Sequence, residues 1–300
     1  ARIADHAARR WTPLAAADIP TELAPVIERL NGLLARLNDA FVRERAFTAD
    51  VAHELRTPIA ALVTTLQVSR ARPRESPEYV RVIDKSLDIL GSMRGLIENL
   101  LLLARAEGGQ LQTTSAPLDL DAAIRESLAA FENRLRERHV TLEVDSADGV
   151  RVCCDPMVLG ILLNNIFDNA ATYVDAGGTV RVSVAASAAD PGGIARPDTA
   201  GPDGVQLRVA NSGTLIDAAD IPRLFERFWR KDTSRSQTGL HAGLGLSLCQ
   251  RLLKIENGDI HITSAPGQDF VVTITLPRAG EWSVVSCQLA APLLPHSRDF

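Results

Sequence analysis

The sequence predicts a helical domain followed by an α/β sandwich with a mixed sheet. Up to residue 107, apolar residues recur at steps of three and four through two long segments, which is the period of an amphipathic helix. Gly108 and Gly109 then interrupt this pattern, as expected at the end of a helix. From about residue 118, short stretches typical of strands alternate with helical stretches, which indicates helices packed on a sheet.

Composition narrows the class of protein. A chain of 300 residues that is 46% hydrophobic is long enough for two domains with their own cores. The net charge of −5 lacks the basic character of nucleic-acid-binding proteins, so we expect no nucleic-acid partner. No run of 18 apolar residues occurs, so we expect any membrane contact to be made only by segments outside this chain. The four cysteines lack paired CxxC spacing, and we expect reduced, cytosolic thiols.

The helical region divides into a lead-in and a hairpin. Residues 1–37 contain a stripe from about Thr21 that predicts a coiled-coil lead-in. A first long helix is expected over 34–70, bent or interrupted near Pro58, and a second over 77–106 after the proline-rich break. Two antiparallel helices bury only part of such stripes, so we expect 38–107 to be a dimerisation domain that forms a four-helix bundle in a homodimer.

One histidine in the first helix has the features of a phosphate acceptor. His53 lies two residues from both Val51 and Leu55 of the apolar seam, so it points away from that seam and toward water. A neutral imidazole is nucleophilic at cellular pH. Glu54 can accept the proton from the other ring nitrogen, and the Thr57 hydroxyl can position a water for removal of the phosphate.

The segment from Phe47 to Pro58 closely resembles the H-box of sensor histidine kinases of two-component systems. The resemblance implies that His53, Glu54 and Thr57 are catalytic. In this family, 1–37 would be the end of a HAMP-type linker, and 38–107 the histidine phosphotransfer domain.

The region from 118 to 277 is predicted to be the α/β sandwich, after a polar linker at 108–117 and before a C-terminal tail at 278–300. Residues 187–204 are rich in Ala, Asp, Pro and Gly and predict a long loop. Strands are expected over 118–120, 140–144, 150–153, 179–185, 205–210, 259–263 and 270–276, and helices over 121–138, 156–174 and 245–256.

Candidate nucleotide-binding residues begin on the helix over 156–174. Asn165 and Asn169 lie four residues apart on one face with Tyr173, away from the apolar face. Amide oxygens are hard ligands that suit Mg²⁺, which retains several waters and bridges phosphates. Two asparagines on a helix are more often surface or capping residues, so this interpretation depends on the segments that follow.

Three further segments follow in order. Asn211 and Gly213 stand at a strand end, where the amide can accept a hydrogen bond from an adenine amino group. Phe228 precedes Arg230, Lys231 and Arg235, which suggests a lid whose cations meet phosphates. Finally, Gly243-Leu244-Gly245-Leu246 opens a helix whose backbone amides can approach a phosphate.

Together these segments resemble, in order, the N, G1, F and G2 boxes of the ATP-binding domain that histidine kinases share with related ATPases. The resemblance implies ATP and Mg²⁺ as cofactors, with Asn169 and Asn165 holding the metal and Asn211 reading adenine. The other implied nucleotide-binding residues are Tyr173, Gly213, Ile216, Phe228, Arg230, Gly243, Leu244, Gly245 and Leu246.

The sequence departs from the family pattern in informative ways. Hydrolytic relatives carry a glutamate at the position of Asn165, and an amide cannot activate water, so phosphoryl transfer to His53 is the consistent outcome. Asn211 replaces the usual G1 acid, which resembles the heavy-metal-sensing branch. Three other family positions also differ, and these are Thr172, Leu215 and His241.

These patterns favour a kinase core that autophosphorylates His53 from Mg-ATP and passes the phosphoryl group to an aspartate of a response regulator receiver domain. It would also act as the regulator's phosphatase through Glu54 and Thr57. We expect the chain to be the cytoplasmic portion of a bacterial inner-membrane protein. The alternative is a pseudokinase with a degenerate nucleotide site that acts as a signalling scaffold, and a third interpretation is a Ser/Thr kinase with the same ATP fold.

Overall fold

A computed structural model describes residues 24–73, 75–146, 149–186, 204–231, 242–265 and 267–279. The chain divides into two compact units, Ala1–Ser86 and Leu87–Phe300. The predicted lead-in before residue 24, most of the loop at 187–204 and nearly all of the tail lie outside the described residues.

Helix α1 runs over Ala24–Arg70, and helix α2 runs over Ser76–Glu107. The predicted lead-in stripe and the first long helix are therefore parts of one element. Pro58 lies inside α1, which continues through it, so the expected interruption is absent. Pro77 occupies the first turn of α2, where a missing backbone N–H costs no helical hydrogen bond. None of the helices among the described residues is both long enough and apolar enough to cross a membrane.

Much of the apolar surface on these two helices is exposed in the single chain. On α1, Ile59, Val63 and Leu66 follow steps of four and three and are 46%, 45% and 49% exposed. On α2, Val80, Ile83, Leu87 and Leu90 form a second stripe with 47–60% exposure. Contiguous exposed apolar surface of this kind is typical of a protein–protein contact.

The second unit contains a mixed sheet of five strands in the order β2-β4-β5-β7-β6. Strand β2 pairs with β4 in parallel, and the other neighbours are antiparallel. A separate ribbon pairs β1 with β3. The strands are β1 Ala116–Asp119, β2 Thr141–Asp145, β3 Arg151–Cys154, β4 Thr179–Ala186, β5 Gly204–Asn211, β6 Asp259–Thr263 and β7 Phe270–Pro277. The mixed α/β architecture predicted from the sequence is confirmed. The bounds of β6 are as expected, and those of the other strands differ by at most two residues.

Four helices accompany the sheet: α3 Leu120–Ala129, α4 Glu132–Glu137, α5 Pro156–Tyr173 and α6 Gly245–Ile255. A short 3-10 helix spans Ile221–Phe225. Helix α5 packs against β5 and between α3 and α6. The expectation of one helix over 121–138 is wrong, because the chain turns at Ala130 and Phe131. Phe131 then packs edge-on against the Phe167 ring of α5, with ring centroids 6.5 Å apart.

The alternation of side chains in β7 explains the core. Its residues alternate between buried and half-buried positions along the whole strand, because successive side chains point to opposite faces. The buried set comprises Phe270, Val272, Ile274 and Leu276. Helix α6 supplies Leu248, Leu252 and Leu253, all fully buried.

The cysteines depart in part from expectation. Cys154 and Cys249 are free and buried. Burial raises the pKa of the Cys249 thiol to about 12, and burial together with the nearby Glu256 carboxylate raises the pKa of Cys154. Cys153 is disulfide-bonded, so the expectation that all the thiols are reduced is wrong for this residue.

Asp155 joins the linker to the start of α5. Its Oδ1 accepts hydrogen bonds from the backbone N–H groups of Met157 at 2.9 Å and Val158 at 3.3 Å, which caps the helix. Its Oδ2 accepts from the backbone N–H of Thr114 at 2.7 Å. One carboxylate therefore fixes both the helix start and the preceding segment.

We expect Asp155→Ala to lower the free energy of unfolding by about 2 kcal/mol, because it removes both the cap and the bond to Thr114. The matched control is Asp119→Ala at the start of α3, where the exposed carboxylate accepts one bond, from Ala122 at 3.0 Å. Its expected cost is about 1 kcal/mol. Urea unfolding followed by circular dichroism measures both, and equal losses would contradict a double role for Asp155.

Candidate active site

A cleft of about 630 Å³ opens in the second unit. Its walls come from the C-terminal half of α5, the turn after it, the segment that follows β5, the residues around Trp229 and the start of α6. Residues of α2 in the same unit, among them Leu96 and Asn99, also line it. The cleft therefore gathers residues of α2 and five later segments that are far apart in the sequence.

Helix α5 presents its polar face to this cleft. Asn165, Asn169 and Tyr173 all line it, while the opposite face of the helix is buried. The Asn165 side-chain N–H donates to the Ile161 carbonyl at 2.8 Å, which orients its oxygen. Among the described residues, no hydrogen bond engages the half-buried Asn169 amide. An amide oxygen is thus available to a cation or a phosphate-bound water.

The start of α6 approaches α5 closely. A methyl group on Gly245 would lie 2.7 Å from the Asn165 oxygen, so only glycine fits without a shift. No side chain caps the first turn of α6. Among the described residues, no side chain accepts a hydrogen bond from its first amide N–H groups, at the helix end that carries partial positive charge. Gly243, Leu244, Gly245 and Leu246 all line the cleft.

The segment before α6 brings a cation to the same wall. Arg230 lines the cleft, and its Nε is buried without a hydrogen-bond partner among the described residues. Lys231 also lines the cleft but donates to the Leu215 carbonyl at 3.0 Å. Phe228 has a left-handed φ of 62°, and its N–H donates to the Gly243 carbonyl at 3.0 Å. Phe228 does not line the cleft itself, and it contacts the cleft residue Gly243 through this hydrogen bond. Arg235 and His241 lie outside the described residues.

The turn after β5 differs most from expectation. Gly213 and Ile216 line the cleft, but Asn211 does not, and it is only 2% exposed. The Asn211 amide donates to the Thr214 hydroxyl at 2.8 Å, and that hydroxyl donates to the Tyr173 carbonyl at 2.9 Å. Asn211 thus ties the end of β5 to the end of α5. Leu215 is 46% exposed at the rim and leaves the cleft open.

Three charged residues of the cleft were missed by sequence reasoning, and the first is Asp168 on α5. Asp175 follows α5, and Arg138 follows α4. The Arg138 guanidinium donates to the carbonyls of Ala171 and Val174, each at 2.6 Å, and so satisfies the C-terminal carbonyls of α5. The signal for Asp175 was its place two residues before Gly177 and Gly178, where a turn leaves the helix.

His53 lies in the first unit, on α1, and is exposed. Thr57 is exposed as well, and its hydroxyl donates to the His53 carbonyl at 3.4 Å. Glu54 is half-buried, and among the described residues no hydrogen bond joins its carboxylate to the imidazole. The ring is therefore accessible to a bulky phosphate donor, as its position relative to the apolar seam predicted.

Residues 43–109 match the His Kinase A (phospho-acceptor) domain, and residues 154–280 match the histidine kinase-, DNA gyrase B- and HSP90-like ATPase domain. The chain belongs to the sensor histidine kinases, the family of ATP-dependent histidine kinases that its H-box resembles.

Individual relatives agree with this family. The chain is 32% identical to the sensor histidine kinase CusS of Escherichia coli K12, over 85% of this chain and 50% of that protein. It is 31% identical to the sensor protein CopS of Pseudomonas syringae pv. tomato, over 77% of this chain and 44% of that protein. The chain thus spans about half the length of the curated relatives it matches.

The fold itself is also known from solved structures. Histidine kinase AdeS of Acinetobacter baumannii superposes with a TM-score of 0.58 at 24% identity, over 76% of this chain and 98% of that one. At that level of identity the likeness concerns the fold alone.

We expect Gly243→Ala to destabilise the protein by more than 1 kcal/mol. Its φ of 68° is left-handed, and a methyl group would lie 2.9 Å from backbone atoms of Phe228 and Trp229. The control is Gly160→Ala inside α5, where nothing lies within 4 Å of the new methyl group. Alanine there should stabilise by about 0.5–1 kcal/mol through its better helix propensity. Thermal unfolding of both variants gives opposite shifts, and shifts of the same sign would contradict the strained geometry at Gly243.

Proposed function

We propose that this chain is a kinase core that transfers the terminal phosphoryl group of ATP to His53 and then to an aspartate of a response regulator receiver domain. The observation that carries the proposal is the open cleft, which brings together Asn169, Arg230 and the uncapped start of α6. Each offers a group that suits a nucleoside triphosphate. The phospho-acceptor domain of the same chain contains an exposed histidine, His53.

The cleft suits an anionic ligand at one wall. Among the described residues, the buried Nε of Arg230 lacks an acceptor, and a phosphate oxygen would provide one. The amides at the start of α6 favour the same negative charge. Gly243 and Gly245 let the backbone approach without side chains in the way. This wall is therefore where we place the triphosphate.

The residues present also fit a magnesium ion. Among the described residues, no group of three or more His, Cys, Asp or Glu side chains is arranged as a metal site. Mg²⁺ at a nucleotide needs only one or two protein oxygens beside waters and phosphates, and Asn169 with Asn165 offers two amide oxygens. When bound, the ion neutralises phosphate charge. Asn165 cannot take a proton from water, which disfavours hydrolysis at this wall.

At His53, a ring nitrogen forms the new bond to the γ-phosphorus while the bond from that phosphorus to the bridging oxygen breaks. ADP leaves with the electron pair, and the other ring nitrogen gives its proton to Glu54, the adjacent carboxylate. The exposed position of the ring satisfies the access that this step requires. The phosphoryl group then passes to the regulator's aspartate.

The same segment supports a phosphatase activity toward the regulator. Thr57 is exposed one helical turn after His53, where its hydroxyl can hold a water against a phosphoryl group. Glu54 is the nearby carboxylate that can take the proton from that water. We also propose that the chain works as the cytoplasmic portion of a longer inner-membrane protein, because ATP and receiver domains reside in the cytoplasm. The asparagine at position 211 is typical of the heavy-metal-sensing branch of the family, and we propose that the chain belongs to that branch.

One observation favours the competing scaffold. Asn211, which replaces the usual acid, is buried and bonded to Thr214, so it does not face the cleft. A chain that bound nucleotide poorly would then act through the conformation of its helices. The labelling experiment that follows separates the two functions.

Incubation of the purified chain with γ-labelled ATP and Mg²⁺ should give acid-labile, alkali-stable label on the protein. His53→Ala should abolish it, whereas His261→Ala, which removes an exposed histidine on β6, should leave it intact. Chelation of Mg²⁺ should also abolish it.

Other outcomes contradict the proposal in distinct ways. Label that persists in His53→Ala places the acceptor elsewhere. Acid-stable label indicates a Ser/Thr kinase. A folded protein that takes up no label indicates the scaffold.

We propose that the apolar stripes of α1 and α2 are buried in a homodimer as a four-helix bundle. Val63→Glu, at a site 45% exposed in the single chain, should place a charge in that interface and convert the dimer to a monomer. Thr64→Glu is the control, since Thr64 is exposed beside Val63 and lies outside the stripe. Light scattering after size exclusion measures the mass. A monomeric parent chain, or a dimer equally resistant to both changes, would refute the assignment.

A further inference from the structure

The turn after α5 places a carboxylate in the cleft that nothing in the described structure engages. Asp175 lines the cleft, and among the described residues its side chain makes no hydrogen bond or ion pair. The other cleft carboxylate, Asp168, is paired with Arg134 at 2.9 Å. Asp175 is therefore the carboxylate at this wall that is open to a ligand.

Its position is fixed by the backbone around it. The Asp175 carbonyl accepts from the N–H of Gly178 at 3.0 Å, which closes the turn. The preceding carbonyl, of Val174, accepts from Arg138 at 2.6 Å. Such a turn holds the carboxylate in place before any ligand arrives, which reduces the entropy cost of binding.

Gly213 leaves the space that the Asp175 carboxylate occupies, because it has no side chain. Its φ of 84° is left-handed, and a methyl group there would overlap the Asp175 carboxylate group. The carboxylate thus lies directly against the backbone where the chain leaves β5. Any side chain at 213 would displace it.

The acceptor expected from the sequence is not on this wall. Asn211 is buried and does not line the cleft, and its side-chain N–H donates to the Thr214 hydroxyl. Asp175 reaches the cleft beside the same turn, from a different element. A carboxylate is thus present close to where the family's acid is missing.

The charges of the cleft orient a nucleotide. The triphosphate is attracted to Arg230 and the start of α6 and repelled by a carboxylate, so it does not lie against Asp175. The base is the part of the ligand that remains for the Asp175 wall. A carboxylate only accepts hydrogen bonds, so it selects a base with a donor at its edge.

We infer that Asp175 determines base specificity, with its carboxylate accepting a hydrogen bond from the exocyclic amino group of adenine. This rests on the proposed function, since it assumes that the cleft holds a nucleoside triphosphate. A base with a carbonyl oxygen at that position would set two acceptors against each other and be rejected.

Titration calorimetry of the full chain with Mg-ATP and Mg-inosine triphosphate tests this directly. The two nucleotides differ in whether an amino group or a carbonyl oxygen stands at the edge of the base. Asp175→Ala should weaken ATP binding about tenfold, since it removes a charge-assisted hydrogen bond. The same change should strengthen binding of inosine triphosphate, since it removes the acceptor that opposes the carbonyl oxygen of that base. Asp175→Asn, which offers a donor, should strengthen binding of inosine triphosphate.

Asp259→Ala, which removes an exposed carboxylate on β6, is the matched control and should change neither affinity. A variant of Asp175 that weakens both nucleotides equally has a structural role, and one that changes neither has no role; either result overturns the inference while the proposed function stands. A parent chain that binds neither nucleotide overturns the proposed function and the inference with it.

Discussion

The burial of one face of α5 is the interaction on which the rest of the second unit depends. Eight of its residues are buried, and each large apolar one stabilises the fold by about 1.5–3 kcal/mol. At 3.6 residues per turn, a helix anchored so firmly on one side cannot rotate. The amides of Asn165 and Asn169 are thereby held toward the cleft. Arg138 and Asp155 then satisfy the two ends of the same helix.

Periodicity was sufficient to predict the elements because each strand and helix has a regular buried face. The strands from β4 to β7 alternate, and α5 and α6 carry apolar stripes, so their positions follow from local spacing. The break at Ala130 and Phe131 did not follow, because it depends on Phe131 reaching the Phe167 ring from a distant segment. The continuity of α1 through Pro58 did not follow either, because a proline inside a helix removes a hydrogen bond and is expected to bend or interrupt it.

The cleft was predictable where residues are spaced on a single element and unpredictable where separate elements meet. Asn165 and Asn169 share a helix face, and Gly243 and Gly245 lie two residues apart at the start of α6, so their positions in the cleft agree with the sequence argument. Asn211 lies on a strand whose side chains point alternately to the two faces of the sheet. Whether it faced the cleft or the core depended on how β5 pairs with β4 and β7, which the sequence does not give. The role of Asp175 could not be predicted from the sequence, because it depends on the contact of its carboxylate with Gly213, 38 positions later in the chain.

The attachment of the linker limits where the second unit can be excised. Glu256, at the end of α6, is only 3% exposed, and its carboxylate accepts from the Ser115 hydroxyl at 2.9 Å and from the Asp155 N–H at 3.2 Å. A polypeptide starting at Leu118, the border that the sequence suggested, would remove the Ser115 donor from the buried Glu256 carboxylate and leave Asp155 without Thr114. A fragment of this unit that folds by itself should therefore begin before Thr114. Limited proteolysis should cut the linker before that residue.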